Sequence, residues 1–217
     1  MKHRFFCLCL FPLAMLVAFG PAAAEQISNG SFELAQQSGP TRVSTTQIVD
    51  WVDDGAGFNL LEQGPNGVSF VGAQDGTQFV SFGHNGQTGS TLSQVFATDA
   101  GVVYTVSFWT RAIQVGNPAD PQVLEATVSS GQFKGQSTLG TLQADVQSTD
   151  AWVQSTFTFA ATGATATLAF SDIVGGSPDN IALDNVSVVA VPEPATAALT
   201  LAAAGLACTR RRRPVTG

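Results

Sequence analysis

The chain has 217 residues, with 9 Lys or Arg against 16 Asp or Glu, a length that suggests one domain or at most two. Between residues 25 and 191 only Arg42, Arg111 and Lys134 stand against fifteen acids, a formal charge of −12. A middle so acidic repels a phosphate backbone, which argues against nucleic-acid binding through a basic face. It also has no cysteine, which excludes a disulfide scaffold, a thiol nucleophile and a Cys-ligated zinc site there.

Residues 1–24 read as a secretory signal peptide. Lys2, His3 and Arg4 form a positive start, Phe5 to Phe19 is an apolar run interrupted by Pro12, and Ala22-Ala23-Ala24 offers small residues for cleavage before Glu25. The run has 15 residues, short of the roughly 20 that cross a bilayer core, so export is favoured over a retained membrane helix.

The middle is rich in Thr, Ser, Gly, Val and Phe, and no window keeps a 3.6-residue apolar period for three turns. Short alternating runs follow one another: Ser28–Leu34, Val43–Trp51, Val68–Val71, Gln78–Phe82, Leu92–Phe96, Val102–Ile113, Leu124–Val128, Val153–Phe159, Ala164–Asp172 and Ile181–Val189. Turn-forming clusters such as Gly64-Pro65-Asn66-Gly67, His84-Asn85-Gly86 and Gly175-Gly176-Ser177-Pro178 lie between them. About ten short strands with turns between them predict an all-β sandwich or barrel. In Val102–Ile113, Tyr104, Val106 and Phe108 share the face expected in the core; Thr105, Ser107, Trp109 and Arg111 share the other. The phase of Ile181–Val189 is ambiguous, because Ile181 and Leu183 alternate with Val186 and Val188 rather than continuing to them.

Five segments occur in a telling order: Ile27-Ser28-Asn29-Gly30-Ser31-Phe32-Glu33, Asp75 to Phe82, Leu92 to Phe96, Tyr104 to Arg111, and Ile181 to Val188. Together they resemble the galactose-binding-like jelly roll of many carbohydrate-binding modules and of related exported domains of unknown function. The resemblance covers nearly all of residues 25–190. It implies that the first and last strands lie side by side, with a Glu on one and an Asp on the other holding a structural calcium. Glu33 and Asp184 match those positions, with Ser31 and Asp75 as carbonyl donors; a hard cation would relieve the repulsion of two facing carboxylates. The alternative is a pair of solvated acids at strand ends.

No catalytic constellation stands out. The acids Asp50, Asp53, Asp54, Glu62, Asp99, Glu125, Asp145 and Asp150 fall in no glycosidase motif, and Asp53-Asp54-Gly55 reads as a turn. His84 is the single histidine of the middle, and no G-x-S-x-G elbow accompanies it. The aromatics able to stack on a sugar are Trp51, Trp109, Trp152 and Tyr104. Trp109 is the foremost ligand-binding candidate because it shares a face with Ser107 and Arg111; packing in or at the rim of the core is the competing role for each.

Past the strands, Val191-Pro192-Glu193-Pro194 leads into the uncharged stretch Ala195 to Thr209 and then Arg210, Arg211, Arg212 and Arg213. The prolines favour an extended, accessible segment. The apolar stretch would be about 22 Å long as a helix, and the arginines hold its end, with residues 214–217, in the cytoplasm. This order resembles the PEP-CTERM sorting signal of Gram-negative bacteria. The resemblance, over residues 191–213, implies removal of the tail by the membrane enzyme exosortase. It also implies a protein exported by signal peptidase and the secretion machinery, transiently membrane-anchored, then released to the cell surface or extracellular matrix of a biofilm.

The resulting expectation is an exported, non-enzymatic β-sandwich that binds or scaffolds exopolysaccharide. The competing class is a structural matrix protein without a sugar site, and a glycoside hydrolase is a distant third.

Overall fold

A computed structural model describes residues 24–34, 43–44, 48–54, 60–63, 72–82, 89–114, 122–131, 137–146, 151–174 and 180–192. Eleven strands occur among them: β1 (Val43–Ser44), β2 (Val52–Asp53), β3 (Leu60–Gln63), β4 (Gln78–Phe82), β5 (Thr91–Ala97), β6 (Val103–Gln114), β7 (Gln122–Ser130), β8 (Thr138–Val146), β9 (Val153–Ala160), β10 (Thr165–Val174) and β11 (Asn180–Ala190). Two antiparallel sheets result, one of six strands in the order β1-β3-β4-β11-β6-β9, the other of five in the order β2-β5-β10-β7-β8.

Alternation explains why they pack. Side chains of successive strand residues point to opposite faces, so every second residue can meet the opposing sheet. From the six-stranded sheet, Val80, Phe82, Tyr104, Val106, Phe108, Ile181 and Leu183 enter the core; from the five-stranded sheet, Leu92, Phe96, Leu124, Ala126, Val128, Ala166, Leu168 and Phe170 meet them. A line of aromatics crosses the interior. Phe32 lies 5.4 Å from Trp51 by ring centroids, Trp51 6.2 Å from Phe170, and Phe170 5.1 Å edge-on from Phe108. Trp51 is thus core, and its indole N–H is satisfied by the Asn29 carbonyl at 3.0 Å. Tyr104 is core as well, stacked on Phe159 at 5.4 Å, and its hydroxyl accepts the Asp99 N–H.

Several expectations need correction. Ser28–Leu34 is not a strand but a run of bends and turns. Asn29 and Phe32 carry positive φ, and the Phe32 ring is fully buried. Pairing with the last strand survives nearby, in the Glu25–Val189 bridge and in the bonds Gln26 N–H to Val188 and Val186 N–H to Gly30. Val43–Trp51 is not one strand; it holds β1, and β2 begins only after Trp51. Asp53-Asp54 is more than a turn: Asp53 ends β2, and Asp54 exchanges bonds with Thr91, donating its N–H and accepting one at Oδ1. The strands β3 and β8 were not foreseen. Val68–Val71 and His84 lie outside the described residues.

The ambiguous last strand has a structural cause. A bulge between Asp184 and Ser187, with Asn185 at φ 48°, shifts the alternation by one residue. Ile181 and Leu183 face the core before it, Val186 and Val188 after it.

Candidate functional site

The outer face of the six-stranded sheet gathers the residues of interest. Ala112, Phe108, Val106 and Tyr104 on β6 belong to the core, so Trp109, Arg111 and Ile113 point away from it. Ile113 joins a separate apolar cluster there with Phe79, Ala182, Ala73 and Trp152. Trp152 packs edge-on against Phe79 at 6.0 Å and donates its indole N–H to the Gly72 carbonyl at 3.0 Å. Trp109 stands between Asp184 on β11 and Gln154 on β9, its cross-strand partners, and Arg111 stands opposite Ala182. Both Trp109 and Arg111 are half-buried. The Arg111 Nε is buried with no hydrogen-bond partner, and no acid pairs with this side chain among the described residues.

Segment 72–78 is pinned against this face by two carboxylates. Asp184 accepts the Gln74 N–H at 2.7 Å and the Asp75 N–H at 2.9 Å on Oδ2, and the Asn185 N–H at 2.7 Å on Oδ1. Glu33 accepts the Thr77 and Gln78 N–H groups on Oε1, each at 2.6 Å, and the Thr77 hydroxyl on Oε2 at 3.0 Å. Asn185 adds a bond from its amide to the Gln74 side chain at 2.7 Å. Gly76, between the two grips, has φ +67°, which favours glycine, and a Cβ there would lie 2.5 Å from the Glu33 carboxyl and displace it from its bonds.

Glu33 and Asp184, chosen for the first and last strands, are therefore brought to one loop, although Glu33 follows a turn rather than lying in a strand. Asp75 takes part through its N–H. Burial pushes the Asp184 carboxyl up to about 7, against the lowering effect of the Asp75, Asn185 and Gln74 N–H groups, and Asp75 adds a small repulsion. Whether this set suits calcium can be judged from its donors. Each carboxylate spends three of about four acceptor positions on hydrogen bonds and keeps one, and Asp184 is buried with no cation paired to it among the described residues. Carboxylate oxygens are the hard donors calcium takes, and an ion bound here would be held by the free positions of Glu33 and Asp184 and by backbone carbonyls. No group of three acidic or histidine side chains suited to a metal occurs among the described residues.

Asp172 was not anticipated. It continues the core stripe of Ala166, Leu168 and Phe170 on β10, so the sequence period already placed a carboxyl where an apolar residue belongs. It is 1% exposed, its Oδ1 has no partner, and burial pushes it up to about 6.

At the end of the domain Val191 donates its N–H to Val103 at 2.8 Å, and Pro192 is exposed. Glu193, Pro194 and Arg210 to Arg213 lie outside the described residues, as does residues 1–23; no described helix is long and apolar enough to cross a membrane.

The fold defines a class, a two-sheet all-β sandwich of the kind found in carbohydrate-binding modules. The chain is similar to TmCBM61, solved in complex with β-1,4-galactotriose, at 17% identity and a TM-score of 0.55, over 78% of this chain and 100% of that one. It is also similar to Fisc, a Stig cyclase from Fischerella sp. TAU, at 18% identity and a TM-score of 0.62, over 80% of this chain and 100% of the cyclase. Residues 25–188 match the family described as proteins of unknown function, DUF642, and the chain belongs to that family. Residues 190–213 match the PEP-CTERM protein-sorting motif, so this is an exported protein of the PEP-CTERM type, whose tail implies processing by exosortase and sorting to the cell surface. No curated protein matches the chain in sequence.

Proposed function

We propose that this protein binds or scaffolds exopolysaccharide after export, through the outer face of the six-stranded sheet, in the matrix of a biofilm. The observation that carries the reading is the position of Trp109. It stands on the same strand as Tyr104, Val106 and Phe108 but outside their core cluster, with polar Ser107 and Gln154 beside it. An indole held by a strand can lie against the apolar face of a pyranose, and the neighbouring polar groups can bond its hydroxyls. A single site of this kind is weak, and a protein concentrated on a polymer gains retention through many such contacts.

The fold alone does not decide the chemistry, since a carbohydrate-binding module and a cyclase both share it. The non-enzymatic reading rests on the lack of a catalytic motif in the sequence. In this account the domain is a galactose-binding-like jelly roll, the calcium is structural, and the apolar stretch after Pro194 anchors the precursor in the membrane until the tail is cut. The test is retention of the exported protein on extracellular polysaccharide, with and without Trp109→Ala. Loss of retention in the variant is expected; equal retention overturns the site.

A further inference from the structure

We infer that the outer face of the six-stranded sheet takes an acidic sugar, a uronate unit of a polysaccharide, whose carboxylate is received by the Arg111 guanidinium while its ring lies against Trp109. This rests on the glycan reading above and narrows its ligand to one chemical class.

Arg111 is the one Lys or Arg among the described residues. Residues 25–191 hold fifteen acids against three cations, so an internal partner for Arg111 would be easy to find, yet none of the described acids pairs with it. On that face Asp184 sits on the adjoining strand opposite Trp109 and gives its oxygens to the N–H groups of Gln74, Asp75 and Asn185 instead. The Arg111 Nε is out of water and unbonded. Burial of Nε leaves the guanidinium partly desolvated in the unbound protein, a cost that no described acid offsets.

An anion can offset that cost at the outer end of the guanidinium, although Nε itself is as closed to a ligand as it is to water. A guanidinium already stripped of part of its hydration loses less when it meets an anion, and its planar fork of donors matches a carboxylate with two parallel bonds. A neutral sugar does not repay that arrangement, because its hydroxyls can be met by Ser107 and Gln154 without desolvating a cation. Long-range repulsion from the other acids is screened beyond about 8 Å at physiological ionic strength, so the short contact at Arg111 governs the preference.

The experiment measures affinity of the exported protein, in EDTA, for oligoglucuronate, oligogalacturonate and oligomannuronate, each beside its carboxyl-reduced counterpart. The members of each pair differ only in carrying a carboxylate or a hydroxymethyl group. Tighter binding of the acidic member, by at least about tenfold in one pair, is expected, the scale of one charge-assisted hydrogen bond. Arg111→Gln should bring the two members to parity, and Arg111→Lys, which keeps the charge and loses the fork, should retain part of the preference. Neutral members bound as tightly as the acidic ones, or a preference that survives Arg111→Gln, would overturn the inference and leave glycan binding standing. Binding of neither member in any pair would overturn both.

Discussion

The two faces of the six-stranded sheet are made from the same strands and put to opposite uses. Along β6 the inner residues Tyr104, Val106 and Phe108 are at most 3% exposed and packed on the other sheet; one residue further along, Trp109 and Arg111 are half-buried and outside that cluster. The inner face is mostly apolar, with Gln78 and Thr110 as buried polar residues on the same stripes. The outer face mixes two tryptophans, a guanidinium unpaired among the described residues and a carboxylate bonded to a loop. The difference teaches that alternation sorts stability from chemistry within a single strand: what is lost by a substitution depends on its parity.

The sharpest way to break that contrast is to truncate on the inner side. Phe108→Ala removes a ring that meets Phe170 edge-on in the middle of the core. It should cost about 3–5 kcal/mol, read as a large fall in denaturation midpoint. A loss under 1 kcal/mol would mean that the inner face is not the core of the fold.

Buried acids give the next largest effect. Asp172, on the inner stripe of β10, is pushed from 3.8 up to about 6 by burial. A raised carboxyl binds its proton more tightly in the folded state, so its contribution is full below about pH 4 and is lost as pH rises through about 6. Stability measured in EDTA should therefore fall between pH 4 and pH 7, with Asp172 accounting for up to about 3 kcal/mol. Asp172→Asn should flatten that slope. Asp184, pushed up to about 7 by burial, adds a loss of the same sign that extends through neutral pH. A wild-type stability that climbs over this window would contradict both assignments.

Calcium sharpens the outer face. If Glu33 and Asp184 share an ion that binds only the folded protein, calcium at a hundred times its Kd adds about 2.7 kcal/mol. Melts at pH 7 with EDTA and with excess calcium should differ by several degrees, and Asp184→Asn should abolish the gap. Superimposable wild-type melts would show that the hydrogen bonds to segment 72–78 suffice without an ion.

How much of this could be read in the sequence depended on how cleanly each strand alternates. β6 and β9 alternate and Gln78–Phe82 is a short run buried on both faces, and the extents read for all three fall within a residue or so of the observed strands. Strand β8 was invisible because its apolar signal is thin: Gly140 interrupts it where a Cβ would press to 3.1 Å from the Phe157 ring, and the register slips beside it, between Val128 and Ser129. The N-terminal segment failed for another reason. Phe32 is fully buried in a turn of positive φ, a tertiary demand no local pattern announces. The broken phase of the last strand, in contrast, was a true signal of the bulge at Asn185. At the site, strand parity put Trp109 and Arg111 together, and the family resemblance put Glu33 with Asp184. Neither could foresee that the two carboxylates grip opposite sides of Gly76, because those contacts span 44 to 110 residues of sequence.

The smallest expected change in stability carries the most weight for function. Trp109→Ala, read both for retention on extracellular polysaccharide and for melting temperature, sets the outer face directly against the inner one. The account predicts that retention is abolished while the melting temperature stays within about two degrees of wild type, since an outer residue contributes little to the core. A loss of about 3–5 kcal/mol, the cost of a core tryptophan, would contradict the assignment of Trp109 to a sugar-binding face, whatever became of retention.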